Sequence, residues 1–158
     1  MTEDRHSPCD IHGPCAPPYP EPAGKAAALR MNTTALAYLG DAIYELYVRK
    51  YIVDAGIAHA DSLHRAAVRF VNAGAQATVM KAMLDADDIV ADGDERSLVR
   101  RARNRKSASK PKNADPMDYK WATAFEALLG YYYLTEQTRK LEDVILFALN
   151  KIEGAVTS

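Results

Sequence analysis

Apolar residues recur at intervals of three and four along most of the chain, whereas no segment alternates apolar and polar residues as a half-buried strand does. Residues suited to capping or ending a helix stand at the edges of these apolar patterns. The predicted helices cover residues 34–55, 61–70, 73–84, 94–104, 116–136 and 138–152. Their predicted caps and stops are Asn32 or Thr33, Gly56, Asp61, Asn72, and Asp92 or Asp94. The fold class predicted from this pattern is all-α.

The first 30 residues differ in composition from the rest of the chain. They are rich in proline, alanine and other small residues and show no apolar period, which predicts a flexible N-terminal extension before a domain over residues 31–154. Two histidines and two cysteines recur every third residue in this extension, a pattern that invites a zinc site; they are His6, Cys9, His12 and Cys15. This spacing is very tight for four tetrahedral ligands, so a disordered tail is the favoured interpretation.

Length and overall charge restrict the class of protein. A chain of 158 residues with 48% hydrophobic residues fits one ordinary globular domain. The net charge of -1 gives no global attraction to nucleic acid or to a membrane, so any such preference must come from local clustering. No apolar run approaches the roughly 18 residues needed to span a bilayer, and the N-terminus lacks the basic and apolar regions of a secretory signal. A cytoplasmic protein without membrane association is expected.

The charges are segregated in one segment, where an acidic run over residues 85–95 is followed directly by a basic run. Arginine predominates in the helical part of the basic run, and its guanidinium binds phosphate bidentately. No aromatic residue interleaves the run, so contact with the backbone of a duplex is favoured over base stacking. The candidate residues for binding the phosphates of such a duplex, and of RNA if the chain binds it, are Arg100, Arg101, Arg103, Arg105, Lys106, Lys110 and Lys112. The alternative is a solvated helix face followed by a flexible loop.

Two carboxylates stand in helical segments that are otherwise largely apolar. Asp41 lies in TALAYLGDAIYELYVRKYIV and Glu126 in WATAFEALLGYYYL, and neither has a lysine or arginine three or four residues away. Burying an unpaired carboxylate is costly, and the cost is relieved by a raised pKa, a partner from elsewhere in the chain, or a metal ion. For either acid alone, a structural hydrogen bond or a distant arginine is an equally good explanation.

Both acids can occupy one pocket if their helices pack together. Two facing carboxylates repel each other, and a divalent cation resolves that repulsion. Oxygen ligands suit Mg²⁺ or Mn²⁺, with water in the remaining coordination positions. Such an ion can activate water and stabilise charge on a phosphate group. The hypothesis is therefore a metal site at Asp41 and Glu126 beside a phosphate-binding segment.

The segments ALAYLGDAIYELYVR, VNAGAQA, RRARNRKS and KNADPMDYKWATAFEALLGYYYL occur in this order between Met31 and Ile152. Together they resemble Mini-ribonuclease III of bacteria, the short branch of the ribonuclease III family. The combination of LGDA with FEALLGY is the specific part of the resemblance. The extension before Met31 takes no part in it.

This resemblance implies a helical endonuclease domain that works as a homodimer and hydrolyses double-stranded RNA with Mg²⁺, or with Mn²⁺ in its place. It implies that Asp41 and Glu126 are the catalytic, metal-binding acids. It also implies a role in maturing the 5′ and 3′ ends of the 23S ribosomal RNA precursor, as free RNA or in a preribosome. No separate double-stranded-RNA-binding domain is expected.

Two positions depart from the pattern of full-length ribonuclease III. Ala37 stands where that pattern has a glutamate, and Thr123 stands where it has an aspartate. The short branch resembles this chain in both losses, which leave fewer direct metal ligands. They also motivate a second hypothesis, a non-catalytic RNA-binding or ribosome-associated protein with the same fold. A third hypothesis is a helical dimerisation module without RNA.

Overall fold

The computed structural model describes residues 21–90, 92–106, 113 and 115–156. The helices of these residues are α1 (Lys25–Leu29), α2 (Thr33–Asp54), α3 (Ala60–Val71), α4 (Ala73–Asp85), α5 (Gly93–Asn104), α6 (Pro116–Leu134) and α7 (Thr138–Val156). No strand occurs among them. The predicted all-α class is confirmed, and all six predicted helices begin within one residue of their predicted start. None of the described helices combines the length and apolarity needed to cross a membrane.

Side-chain caps fix most helix starts. The side chain of Asn32 accepts a hydrogen bond from the Thr34 amide, and that of Asn72 accepts one from the Ala75 amide, as predicted. Asp92 caps α5 in the same way. The predicted cap at Asp61 is wrong, because α3 begins one residue earlier and Asp61 lies in its first turn, where a negative charge still favours the helix.

The end of α2 is set by glycine. Gly56 has φ of +83°, a backbone conformation that costs other residues more, and it follows the helix end as the sequence predicted. The start of α6 is set by Asp115, whose side chain accepts from the amides of Met117 and Asp118, while Pro116 occupies the first helical position.

The predicted N-terminal extension contains one described element. Within it, α1 places Ala28 in the core, and the Ala23 amide donates a hydrogen bond to the Leu134 carbonyl at 2.9 Å. Residues 21–30 therefore pack on the C-terminal end of α6. The histidines and cysteines considered for zinc, which are His6, Cys9, His12 and Cys15, lie outside the described residues. The domain boundary near residue 30 stays a prediction.

Helix α6 is the centre of the fold and packs against α2, α4 and α5. Nine of its residues are buried, including Phe125, whose ring meets that of Tyr44 on α2 edge to face with centroids 5.0 Å apart. A helix that is apolar nearly all round needs partners on every side, and the surrounding helices supply them.

The contact between α2 and α6 depends on two glycines. A Cβ atom built on Gly40 would stand 1.7 Å from the carbonyl oxygen of Glu126, and one on Gly130 would stand 2.1 Å from the carbonyl oxygen of Leu36. Both obstacles are backbone atoms, which cannot turn aside as a flexible side chain can. The two helices therefore approach so closely only because neither position carries a side chain.

We expect Gly40→Ala to destabilise the domain by roughly 3 kcal/mol or more, because α2 and α6 must separate to admit the methyl group. Gly154→Ala is the matched control, since a Cβ at that position of α7 meets no atom of the described residues within 4 Å. Alanine should there raise stability by up to about 1 kcal/mol through its helix propensity. Urea denaturation followed by circular dichroism measures both changes. Equal stability of the two variants would contradict the close crossing.

Candidate active site

A cleft of about 480 Å³ opens between the N-terminal half of α2, the C-terminal end of α5 and α6. Acidic, basic and small neutral side chains share its wall. The lining residues are Thr34, Ala37, Tyr38, Asp41, Ala102, Arg105, Lys106, Tyr119, Lys120, Thr123 and Glu126. The cleft therefore contains both predicted metal ligands and two of the predicted RNA-binding residues.

The structure brings Asp41 and Glu126 together across the crossing of α2 and α6, as the sequence predicted. Each acid is adjacent to a feature of that crossing, because Asp41 follows Gly40 and the Glu126 carbonyl faces Gly40. Their side chains lie close enough for each to change the pKa of the other. The expectation that both are buried is wrong for Asp41, which is exposed, while Glu126 is partly buried. Asp41 escapes burial because its side of α2 forms the open rim of the cleft.

The surroundings raise the pKa of both carboxyl groups. Partial burial is the main cause for Glu126, and repulsion from Asp41 adds to it, so that the pKa of Glu126 rises to about 8. The side chain of Gln76 on α4 opposes this rise through a hydrogen bond to Glu126. The pKa of Asp41 is raised first by partial desolvation of its carboxyl group at the rim of the cleft and second by the charge of Glu45. The pair thus carries less negative charge at neutral pH than two isolated carboxylates would.

None of the ion pairs within the described residues involves Asp41 or Glu126. Three basic side chains nevertheless line the same cleft, namely those of Arg105, Lys106 and Lys120. Their charges are near the acids without neutralising them in a direct contact. The cleft consequently offers a place for a cation beside the acids and for an anion beside the basic side chains.

The donor set of the cleft fits a hard divalent cation bound partly by water. The described residues contain no cluster of three or more histidine, cysteine, aspartate or glutamate side chains that could ligate a metal. Asp41 and Glu126 supply carboxylate oxygens only, and Mg²⁺ commonly binds one or two carboxylates while keeping several waters. Ala37 and Thr123 line the cleft where the full-length ribonuclease III pattern has acids, which leaves open space for such waters.

The predicted RNA-binding residues do not share one location. Arg100, Arg101 and Arg105 line a second pocket of about 450 Å³ at the start of α2. Arg101 donates a hydrogen bond to the Leu29 carbonyl at 2.6 Å, and Arg105 donates one to the side chain of Asn32. Arg105 also lines the acidic cleft, so the two pockets adjoin at this residue. Lys110 and Lys112 lie outside the described residues.

Arg103 points away from both pockets. Its guanidinium lies over the ring of Trp121, 4.8 Å from the centroid, and its Nε donates to the side chain of Asn104 at 3.0 Å. The residue holds the end of α5 against α6. Its inclusion among the RNA-contacting residues gains no support from this placement and stays a prediction.

Three polar residues were not among the predicted site residues: two that line the cleft, and Gln76, which interacts with Glu126. Tyr119 and Lys120 line it one to two turns before Glu126, and the i, i+3, i+4 spacing along α6 places them with Thr123 and Glu126 on one face. That signal was present in the sequence. The sequence contains no comparable signal for Gln76, because its contact with Glu126 depends on how α4 packs against α6.

Comparison with known proteins supports a single family. The model of the ribonuclease III domain matches residues 34–137. Mini-ribonuclease 3 of Enterococcus faecalis is 44% identical over 123 residues, which are 78% of this chain and 92% of the relative. Mini-ribonuclease 3 of Symbiobacterium thermophilum is 41% identical over 128 residues, or 81% and 95% of the two chains. A crystal structure of a Fusobacterium nucleatum protein superposes with a TM-score of 0.68 at 30% identity, covering 77% of this chain and 94% of that one.

We expect the raised pKa of Glu126 to appear in the stability of the metal-free protein. The folded state prefers the protonated carboxyl group. The contribution of Glu126 to the free energy of unfolding is therefore complete below pH 4.5 and is lost as the pH rises through about 8. Glu126→Gln stays neutral throughout and should be more stable than the parent by about 1–3 kcal/mol at pH 9 in EDTA, with little difference at pH 5. Asp143→Asn, on the exposed side of α7, serves as the control. A pH-independent difference would refute the raised pKa.

Proposed function

The chain belongs to the ribonuclease III family, in its Mini-ribonuclease 3 branch, and is an endoribonuclease of double-stranded RNA; we propose that Asp41 and Glu126 are its catalytic acids and hold Mg²⁺. The family generally uses a divalent metal. The observation that carries the proposal is the meeting of these two carboxylates across α2 and α6, without a direct cationic partner in the described part of the chain. Mn²⁺, which takes the same oxygen ligands, can replace Mg²⁺ in this proposal.

A divalent ion at these acids would supply an activated water and charge stabilisation for the phosphate. The protein groups do the remaining work. Asp41 and Glu126 hold the ion through their oxygens, and loss of the proton from Glu126 makes its full charge available. Lys106 and Lys120 lie where they can offset the negative charge of the scissile phosphate. Hydrolysis joins the water oxygen to phosphorus and breaks the bond from phosphorus to the 3′ oxygen.

The basic side chains beside the acids are proposed to hold the RNA backbone. Arg105 and Lys106 line the cleft, while Arg100 and Arg101 line the adjoining pocket, so phosphates on either side of the scissile one have cations within reach. Lys110 and Lys112 belong to the same proposal on the basis of sequence alone. Because the net charge of the chain is only -1, this local cluster must supply the attraction to RNA.

The active form is proposed to be a homodimer. Large apolar side chains remain exposed along one face of α2, with Tyr38 85%, Leu46 66% and Val53 61% accessible. Their spacing of eight and seven residues keeps them on one side of the helix. Apolar surface of this kind is typical of an interface. A monomeric mass in sedimentation equilibrium at micromolar concentration would contradict it.

The proposed substrate is the 23S ribosomal RNA precursor, whose two ends pair to form a duplex stem. This assignment rests on the branch to which the chain belongs. The competing function, a non-catalytic RNA-binding protein, has one observation in its favour, since Ala37 and Thr123 leave the cleft with fewer acids than the full-length pattern. The retention of a facing pair of acids, in which Asp41 raises the pKa of Glu126, favours catalysis.

The Asp41→Asn variant separates the two functions. Asparagine keeps the size of the side chain and removes its charge, so we expect cleavage to fall by at least about 10³-fold while the RNA affinity changes little. The assay uses an end-labelled duplex with the sequence of a 23S precursor stem, with Mg²⁺ or EDTA, and a gel shift in parallel. Cleavage by this variant at the parental rate would refute the catalytic role. Salt-sensitive binding without cleavage by the parent, in Mg²⁺ or Mn²⁺, would favour the binding protein.

Arg105 and Arg103 form a matched pair for testing the RNA-binding surface. Arg105→Ala removes a cation that lines both pockets, and we expect about tenfold weaker duplex binding with the slope of log affinity against log salt reduced by about 1. Arg103→Ala removes an equal charge that lies on Trp121, and its affinity should stay within about twofold of the parent. Fluorescence anisotropy at several salt concentrations measures both. Equal losses would show that only overall charge matters.

A further inference from the structure

We propose that Gln76 is a positioning residue of the active site, a buried amide on α4 that fixes the carboxylate of Glu126 in the orientation needed to hold the metal. This inference rests on the proposed function, because it presupposes that Glu126 is a metal ligand. It adds a third helix to a site otherwise built from α2, α5 and α6.

The contacts of Gln76 support this role directly. The residue is 1% exposed, and its side chain hydrogen-bonds to Glu126. The same amide nitrogen donates to the Val71 carbonyl at 3.1 Å. Val71 is the last residue of α3, so its carbonyl has no partner within that helix. The bond to Val71 thus anchors the amide that interacts with the acid on α6, and it restricts the orientation of that amide.

The backbone beneath Gln76 is itself held in place. The Asn72 side chain donates to the carbonyls of Val68 and Arg69 at the end of α3, and its oxygen accepts from the Ala75 amide at the start of α4. Gln76 follows one turn later. Lys81, further along α4, lies 3.7 Å from Asp118 on α6. These bonds connect α4 to both of its neighbours, so the amide of Gln76 is presented from a fixed position.

Burial of the Gln76 amide costs folding free energy, and packing alone does not explain why an amide stands at this position. Its oxygen is buried, and no hydrogen-bond partner for it exists among the described residues. A buried acceptor without a partner costs about 1–3 kcal/mol. A methionine has a similar length and would fill the same space in the core without that cost. The NH₂ group, and in particular its bond to Glu126, is the feature that an apolar side chain would lose.

A site with only two protein carboxylates depends strongly on how each is oriented. Groups that hydrogen-bond to metal ligands commonly change metal affinity about 10–100-fold when they are removed. Glu126 is partly buried and faces Asp41, so without Gln76 its carboxyl group is free to turn toward other partners. The loss should therefore appear as weaker metal binding rather than as a lower rate once metal is bound.

The test uses Mn²⁺ binding to the full chain without RNA, followed by electron paramagnetic resonance. We expect Gln76→Met to raise the Mn²⁺ dissociation constant about tenfold. In cleavage assays the Mg²⁺ concentration for half-maximal rate should rise by the same factor, with the rate at saturating Mg²⁺ within about threefold of the parent. Met80→Leu, one turn later on α4 and fully buried, is the control for repacking this helix. Thermal denaturation confirms that each variant is folded, and Gln76→Leu replaces Gln76→Met if the latter is not.

Asp41→Asn distinguishes failure of this inference from failure of the proposed function. If Asp41→Asn binds Mn²⁺ as the parent does, the metal site itself is wrong. If Asp41→Asn loses binding while the Gln76 variant and Met80→Leu both keep parental affinity, the metal site stands and the role of Gln76 is refuted. Equal weakening by the Gln76 variant and Met80→Leu would likewise overturn it, because packing of α4 would then be the cause.

Discussion

The close crossing of α2 and α6 is the contact on which the rest of the structure depends. Gly40 and Gly130 carry no Cβ atom, and the backbone of each helix occupies the space that such an atom on the other helix would need. The acids of the cleft are attached to this crossing, since Asp41 follows Gly40 and Glu126 presents its carbonyl to it. The same few residues therefore serve both packing and chemistry. If α2 and α6 separated by even the width of a methyl group, the two carboxylates would move apart.

This arrangement makes folding bring like charges together. The crossing that stabilises the core brings Asp41 and Glu126 face to face. Desolvation and repulsion from Asp41 raise the pKa of Glu126, whereas desolvation and the charge of Glu45 raise the pKa of Asp41. A bound divalent cation would reverse the sign of this interaction, because it favours the ionised carboxylates. Metal binding in the proposed site would then also stabilise the folded state. Relief of the repulsion in the metal-free pair therefore contributes to the free energy of cation binding.

Local signals in the sequence determine how much could be predicted. Asn72, Asp92 and Gly56 act within a few residues of themselves, so their roles at helix ends were evident without a structure. The pairing of Asp41 with Glu126 was also predictable, because unpartnered acids on apolar helices need a common explanation. The exposure of Asp41 was not, since it depends on where α5 ends along α2. The placement of Arg103 on Trp121 and of Gln76 beneath Glu126 likewise depends on contacts between distant segments.

The two small residues that replace acids of the full-length ribonuclease III pattern also affect the charge of the cleft. Ala37 and Thr123 remove negative charge from the cleft, while Lys106 and Lys120 add positive charge to the same wall. A phosphate entering this cleft meets less repulsion than in a site with four acids, and fewer protein oxygens compete with water for a metal. In the proposed site two carboxylates then define the position of the metal, and one of them, Asp41, lies at the exposed rim of the cleft. A fixed metal position then requires a fixed carboxylate at Glu126. In the proposal above, packing and the buried amide of Gln76 constrain this side chain.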